Sequence, residues 1–128
     1  MVSEIICWQT PLSYMRRTAT DDVEIGGKQI RKHDQVLMWY VSANRDADVF
    51  EHPDVIDIER ENADQHLSFG FGIHRCMGSR LAELQLRILW EEILQRFERI
   101  VVEDAPSRTF SSFVNGYTEL PVTVRPLS

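Results

Sequence analysis

Phe69-Gly70-Phe71-Gly72-Ile73-His74-Arg75-Cys76-Met77-Gly78 is the stretch on which the reading of this chain turns. It sets one cysteine in a glycine-rich loop directly ahead of a long helical pattern. A cysteine just before a helix has backbone N–H groups pointing at its sulfur. Those donors and the helix N-terminus favour a thiolate over a thiol. Gly72 and Gly78 remove side chains where the backbone must bend closely around a flat ligand, and they permit unusual backbone angles. Phe69 is placed to pack beside the sulfur and keep water away. His74 and Arg75 offer cationic or hydrogen-bonding groups where carboxylates could sit. Each of these features tunes a metal-bound thiolate through its surroundings. The plainer alternative is a buried structural cysteine whose glycines only ease the start of a helix.

Downstream, the pattern predicts a helix from about Ser79 to Arg96. Its polar stripe is narrow, with Arg80, Glu83, Arg87, Glu91 and Gln95 recurring at three- and four-residue spacing. Leu81, Leu84, Leu86, Ile88, Leu89, Trp90, Ile93 and Leu94 fill most of the remaining circumference, so the helix needs partners on several sides. The other segments could hardly surround it, and the expectation is therefore an incomplete domain. Upstream, Glu4 to Trp8 reads as the tail of a helix ended at Thr10-Pro11, because proline disfavours helical geometry in the residue before it. Alternation around Gly26-Gly27 reads as a β-hairpin. Val36 to Val41 reads as a strand, Ser42 to Phe50 as a short helix, and His52 to Ser68 as irregular but packed chain. Near the end, Asn115-Gly116 reads as a turn and Val122 to Val124 as a strand.

With 128 residues the chain suits one domain and is too short for two. Its 43% hydrophobic and 27% charged residues are ordinary for a globular protein. A net charge of −6 argues against general nucleic-acid binding, since no overall positive field attracts phosphates. No apolar run approaches a membrane span, and the first residues lack the basic and apolar regions of a signal peptide, which makes a cytoplasmic location the plain expectation. Cys7 and Cys76 stand far apart and form no C-x-x-C pair, which disfavours a zinc knuckle, a redox pair and a disulfide framework.

The decapeptide resembles the ligand-loop signature of the cytochromes P450, in which phenylalanine, glycine, cysteine and glycine hold fixed places. Phe69, Gly72, Cys76 and Gly78 fill all of them. The resemblance implies an α+β chain that forms the C-terminal part, residues 1–128, of the mainly α P450 fold. Its pieces would be the end of the K helix, β-hairpins, the meander, the cysteine loop, the long L helix and a C-terminal hairpin. It implies haem b (iron protoporphyrin IX) as cofactor, with Cys76 as the ligand of the iron and His74 on one propionate. Arg17, in Arg17-Thr18-Ala19, would hold the other propionate; the alternative is an ordinary surface arginine. Ala43-Asn44-Arg45-Asp46 resembles a stretch of bacterial members and reads as structural. Arg60 fits the meander arginine that locks onto Glu4 of the K helix. The family's K-helix motif departs here: Glu4-Ile5-Ile6-Cys7 has cysteine where the motif has arginine, so one member of a buried charge network is gone.

Trp8-Gln9-Thr10-Pro11-Leu12, Met15-Arg16-Arg17-Thr18-Ala19-Thr20 and the residues from His66 to Cys76 resemble bacterial medium-chain alkane and fatty-acid terminal hydroxylases. That implies insertion of one oxygen atom from O₂ into a small apolar substrate, with electrons from a ferredoxin and its reductase. Thr10, Pro11, Leu12, Met15, Gly116 and Tyr117 would line the substrate pocket, against the alternative of simple loop packing. The acid and threonine pair of the family's central helix has no counterpart here, so the chain alone is expected to lack turnover, and the uncovered apolar circumference of the helix from Ser79 is expected to make it self-associate. Whether it retains haem by itself stays open. A haem-binding sensor or carrier and an inactive fragment are the competing readings.

Overall fold

Helix α1 (Val2–Gln9) stops at Thr10, whose left-handed backbone (φ 39°) turns the chain while its N–H still donates to the Ile6 carbonyl at 3.0 Å. The computed structural model describes residues 1–127. From Pro11 the chain runs into β1 (Tyr14–Thr18), which pairs antiparallel with β4 (Gln35–Trp39), Tyr14 opposite Trp39 and Thr18 opposite Gln35. Between them lies the hairpin of β2 (Val23–Ile25) and β3 (Lys28–Ile30). Its tip needs positive φ at both central residues, and Gly26 (57°) and Gly27 (73°) supply it.

A single helical turn, α2 (Tyr40–Ala43), follows β4. The helix expected over residues 42–50 is confined to these residues; beyond Asn44 the chain folds into turns, with Asp46 carbonyl accepting the N–H groups of Val49 and Phe50. The stretch from His52 to Ser68 is irregular, as its mixed pattern implies, with one 3₁₀ turn at Ala63–Gln65. A second 3₁₀ turn, Gly72–His74, leads to α3 (Ser79–Arg96). Helix α3 runs straight into β5 (Phe97–Val102), which pairs with β8 (Val122–Pro126); β6 (Ser107–Arg108) pairs with β7 (Tyr117–Glu119). Periodicity did not reveal β5, because Phe97 continues the apolar pattern of the helix without a break. The turn read at Asn115-Gly116 is instead chain leading into β7, where the Gly116 carbonyl accepts the Thr109 N–H. Glycine is needed there for closeness: a Cβ would lie 2.9 Å from the Thr109 hydroxyl oxygen.

The buried apolar residues are few: Ile6, Cys7, Tyr40, Phe50 and Ala63. Buried polar ones outnumber them: Glu4, Thr10, Ser13, Asn44, His66, Ser68 and Ser79. Arg60 Nε donates to Glu4 Oε2 at 3.0 Å, and the Asp57 N–H reaches Oε1 at 2.9 Å, so the carboxylate is served on both oxygens. The Arg60 guanidinium also donates to the carbonyls of Glu51, Val55 and His52. Burial and the neighbouring Glu4 carboxylate push the Cys7 thiol above its ordinary pKa, so it stays protonated. Helix α3, by contrast, touches little besides α1 and β5. Leu81, Leu84, Ile88, Leu89 and Leu94 on it remain exposed. No helix among the described residues is long and apolar enough to cross a membrane.

Candidate functional site

The loop ahead of α3 closes on itself through one backbone bond, Cys76 N–H to the Phe69 carbonyl at 2.8 Å. That bond folds the eight residues from Phe69 to Cys76 into a compact bend. Two glycines carry the bend. Gly72 has φ +69°, a conformation that L side chains rarely adopt, with open space around the missing Cβ. Gly70 has φ +71° and is also crowded: a Cβ there would sit 3.1 Å from the Tyr40 hydroxyl. Gly78 is less demanding. It caps α3 at φ −85°, and a Cβ would make an ordinary 3.8 Å contact with Cys76 Sγ.

Beside this loop lies a cleft of about 540 Å³. Pro11, Leu12 and Met15 border it from the α1–β1 connection and β1, Arg17 from the far end of β1, and Phe69, His74 and Cys76 from the loop. Most of its walls are carbon. The Cys76 side chain is exposed, while Cys7 is buried and remote. Arg17 is half-buried, and its guanidinium donates to the Arg16 carbonyl at 3.0 Å, its only recorded partner among the described residues. Tyr40, Ser68 and Gly70 complete the lining. Sequence reasoning missed these three. For Gly70 a signal existed, since two glycines alternate with two phenylalanines, but Tyr40 and Ser68 reach the cleft only through the fold.

The remaining pocket candidates fall elsewhere. Thr10 is buried and donates its hydroxyl to the Cys7 carbonyl at 2.6 Å. It borders a separate cleft of about 310 Å³ together with Tyr117, Arg45 and Arg108. Gly116 is next to Tyr117 on that side. What the end of the chain brings to the Cys76 side is Phe113 and Val114: Val114 bridges to Leu12, and the Phe113 carbonyl accepts the Ser13 N–H at 2.9 Å. Phe113 stacks edge-on to Tyr14 and shares an open cleft with Met15, so Met15 lies between the two hollows.

Behind the loop, His66 is buried with its ring 5.5 Å from that of Phe69. Its Nδ1 accepts the Ser68 N–H at 3.2 Å. Burial first, and the Arg75 charge second, hold its pKa below the ordinary histidine value, which keeps the ring neutral.

The donor set fits the group that the ligand loop implies. One thiol, two side chains able to hold carboxylates and an otherwise apolar hollow suit a planar, dicarboxylate macrocycle held by a single soft ligand. Among the described residues no three His, Cys, Asp or Glu side chains converge to hold a free metal ion. A haem iron needs only one protein ligand.

Comparisons with known proteins show the family. The family model described as "Cytochrome P450" matches residues 1–122. Linalool 8-monooxygenase of Pseudomonas putida is 44% identical over 97% of this chain and 30% of its own length. The methyl-branched lipid omega-hydroxylase of Mycobacterium bovis is 41% identical over 95% of this chain and 28% of its own length. Among solved structures, cytochrome P450-153 from Novosphingobium aromaticivorans superposes with a TM-score of 0.89 at 52% identity, covering 96% of this chain and 31% of that one. CYP153D17 from Sphingomonas sp. PAMC 26605 gives 0.90 at 54%, covering 95% and 30%. The chain thus spans about 30% of the length of the curated relatives it matches, and its mixed helix and strand fold is a portion of theirs.

Proposed function

The chain belongs to the cytochrome P450 family, and on that premise we propose that residues 1–128 form the haem-ligating C-terminal portion of a monooxygenase. Within it Cys76 is the iron ligand, and Arg17 and His74 hold the two propionates. The single observation that carries this reading is the cleft that gathers Cys76, Arg17 and His74 against apolar walls. Haem, when bound, supplies the iron at which dioxygen is reduced and one oxygen atom is inserted into a C–H bond. The chain's own residues bind and orient it. Arg17 and His74 offer charge-assisted hydrogen bonds, which are stronger than neutral ones. Pro11, Leu12 and Met15 exclude water from the cleft. Phe69 covers the loop beside the sulfur, and Gly72 lets the backbone bend there.

The proposed reaction is terminal hydroxylation of n-alkanes or fatty acids. An omega-hydroxylase among the relatives and the resemblance of the stretches around Thr10, Met15 and Ser68 support it. Met15, Leu12 and Pro11 border the space where such a chain would lie; Phe113 borders the adjoining cleft that Met15 shares, and Tyr117 a separate one. Members of the family draw electrons from redox partners; for this protein the partner is a ferredoxin with its reductase, in a cytoplasmic setting. Arg75, Arg80 and Arg87 are exposed on the loop and α3 with Glu83 the one acid among them, a local basic face suited to an acidic partner. The isolated chain has no turnover, because the distal half of the cleft is not part of it.

The test uses the full-length enzyme. Its reduced, carbon-monoxide-bound form should show the strongly red-shifted Soret band of a thiolate-ligated haem, and Cys76→Ala should abolish that band. Survival of the band in Cys76→Ala overturns the ligand assignment. Oxygen uptake without a terminally hydroxylated product from medium-chain alkanes or fatty acids overturns the substrate class. Arg80→Glu should slow ferredoxin-driven reduction at low salt and leave it unchanged at high salt, where screening removes the steering. Equal rates at low salt would exclude Arg80 from partner guidance.

A further inference from the structure

The Asn44 side chain has 1% of its surface exposed and lies outside the cleft, yet it joins three parts of the chain that surround it. Its Oδ1 accepts the Leu67 N–H at 2.8 Å. Its Nδ2 donates to the Ser68 hydroxyl at 2.8 Å and to the Thr10 hydroxyl at 2.9 Å. Neither hydroxyl is free to turn round. Ser68 Oγ donates to the Ile6 carbonyl at 2.8 Å, and Thr10 Oγ1 donates to the Cys7 carbonyl at 2.6 Å. Every proton in the cluster therefore has one direction, and an amide is the side chain that provides two donors and an acceptor together.

We propose that Asn44 is a positioning residue for the Cys76 ligand, setting the height of the ligand loop above helix α1. This rests on the reading of Cys76 under Proposed function. The argument follows the backbone. Asn44 grips Leu67 at its N–H and Ser68 at its hydroxyl. The Leu67 carbonyl accepts the Gly70 N–H at 2.8 Å, and the Phe69 carbonyl accepts the Cys76 N–H at 2.8 Å. No residue therefore separates the anchored Ser68 from Phe69, whose carbonyl closes the loop on the cysteine, and the Leu67 carbonyl holds Gly70 just inside that loop. On the opposite side the same amide is tied, through Ser68 and Thr10, to the carbonyl end of α1. Removing the amide takes the partner from the half-buried Leu67 N–H and frees Ser68 to rotate, so the loop loses its register against α1. An aspartate has the same shape but no donor. Both hydroxyls would turn toward it, and the Ile6 and Cys7 carbonyls would lose their partners.

The experiment is run on the full-length, haem-loaded enzyme. The ferrous carbonyl spectrum and the haem reduction potential are recorded for the parent, Asn44→Ala, Asn44→Asp and Ser68→Ala. Phe50→Leu, at a buried apolar site away from the cleft, is the control for general loss of stability. The three hub variants should raise the fraction of the carbonyl complex that lacks the thiolate-type band by about fivefold, the effect of one lost hydrogen bond on an equilibrium. They should also shift the potential of the fraction that keeps the band. Phe50→Leu should lower the melting temperature with neither change. Should Asn44→Ala fail to fold, Asn44→Asp decides together with Ser68→Ala; because Ser68 also borders the cleft, a change confined to Ser68→Ala overturns the inference. A parent without the thiolate band overturns the haem reading and this inference with it. A parent with the band, and hub variants that match Phe50→Leu in spectrum and potential, overturn this inference alone.

Discussion

Glu4 and Arg60 meet with side chains 2% and 7% exposed, whereas Glu92 and Arg96 meet with side chains 47% and 69% exposed. The two ion pairs have the same chemistry and belong to two regions built on different terms. Up to Ser79 the chain buries polar groups, and every one is matched: no buried side-chain nitrogen or oxygen lacks a partner among the described residues. Beyond Ser79 no described residue is buried, and α3 displays leucine and isoleucine to the outside. The first region holds its shape by directed bonds made within the chain. The second presents apolar area that no described residue covers. Directed bonds specify where a loop sits to within tenths of an ångström, and apolar area specifies only that something must be laid on it. Cys76 stands at the junction, its loop anchored on the first region and its helix belonging to the second.

The comparison breaks if the buried pair proves no more important than the exposed one. Arg60→Ala in the full-length enzyme leaves a buried carboxylate without its partner and should cost about 3–5 kcal/mol. Denaturant titration checks it, and a loss as small as that of a surface pair would refute the distinction. The next largest effect concerns the second region. The isolated chain should self-associate through α3, and replacing Leu84 and Ile88 together with glutamate should shift it toward monomer in sedimentation velocity. A parent chain that sediments as a monomer would show that the exposed face needs no cover.

A smaller effect separates the regions by pH. Because the folded state holds His66 below its ordinary pKa of 6.5, the unfolded chain binds the proton more readily. Stability is therefore full above about pH 6.5 and declines as the pH falls toward the folded pKa. Asp64, Glu83 and Arg75 are the charges that act on the ring. His66→Gln should flatten the stability curve below pH 6.5, and an unchanged slope would remove the histidine from the account. Smallest of all, Glu92→Gln breaks an exposed pair one helical turn apart and should cost about 0.3–0.5 kcal/mol. Its effect should vanish in high salt; a larger or salt-insensitive loss would place that pair in a buried setting.

Much of this arrangement was legible in the residues. The bounds of α3, the Gly26-Gly27 hairpin, the stop at Thr10 and the lack of cover for α3 all follow from local rules of periodicity, φ preference and amphipathicity. The cysteine loop was legible because glycine, phenylalanine and cysteine sit at fixed spacing. Other features were not. Ser42 to Phe50 has helical composition, yet Asn44 leaves the helix to serve its buried hydrogen bonds, so tertiary contacts override propensity. Asn115-Gly116 has turn composition, but Asn115 N–H donates to the Pro11 carbonyl and its amide to the Thr10 carbonyl, which hold the chain open. Thr10 looked like a pocket residue beside Pro11 and Leu12, and its left-handed φ turns it to the other side.

The sequence by itself determined the family of the chain, its cysteine loop, the long helix behind it and that helix's lack of cover. These depend on residue types at short, regular separations, which local sterics and hydrogen bonding read directly. Only the tertiary structure decided which residues share the cleft with Cys76, that Tyr40 lines it while Tyr117 borders another, and that Asn44 ties the loop to α1. Those contacts join residues dozens of positions apart, 24 between Asn44 and Ser68 and 34 between Asn44 and Thr10. No local pattern encodes them, because each bond is selected by the burial of its partners and not by the spacing of the residues that make it.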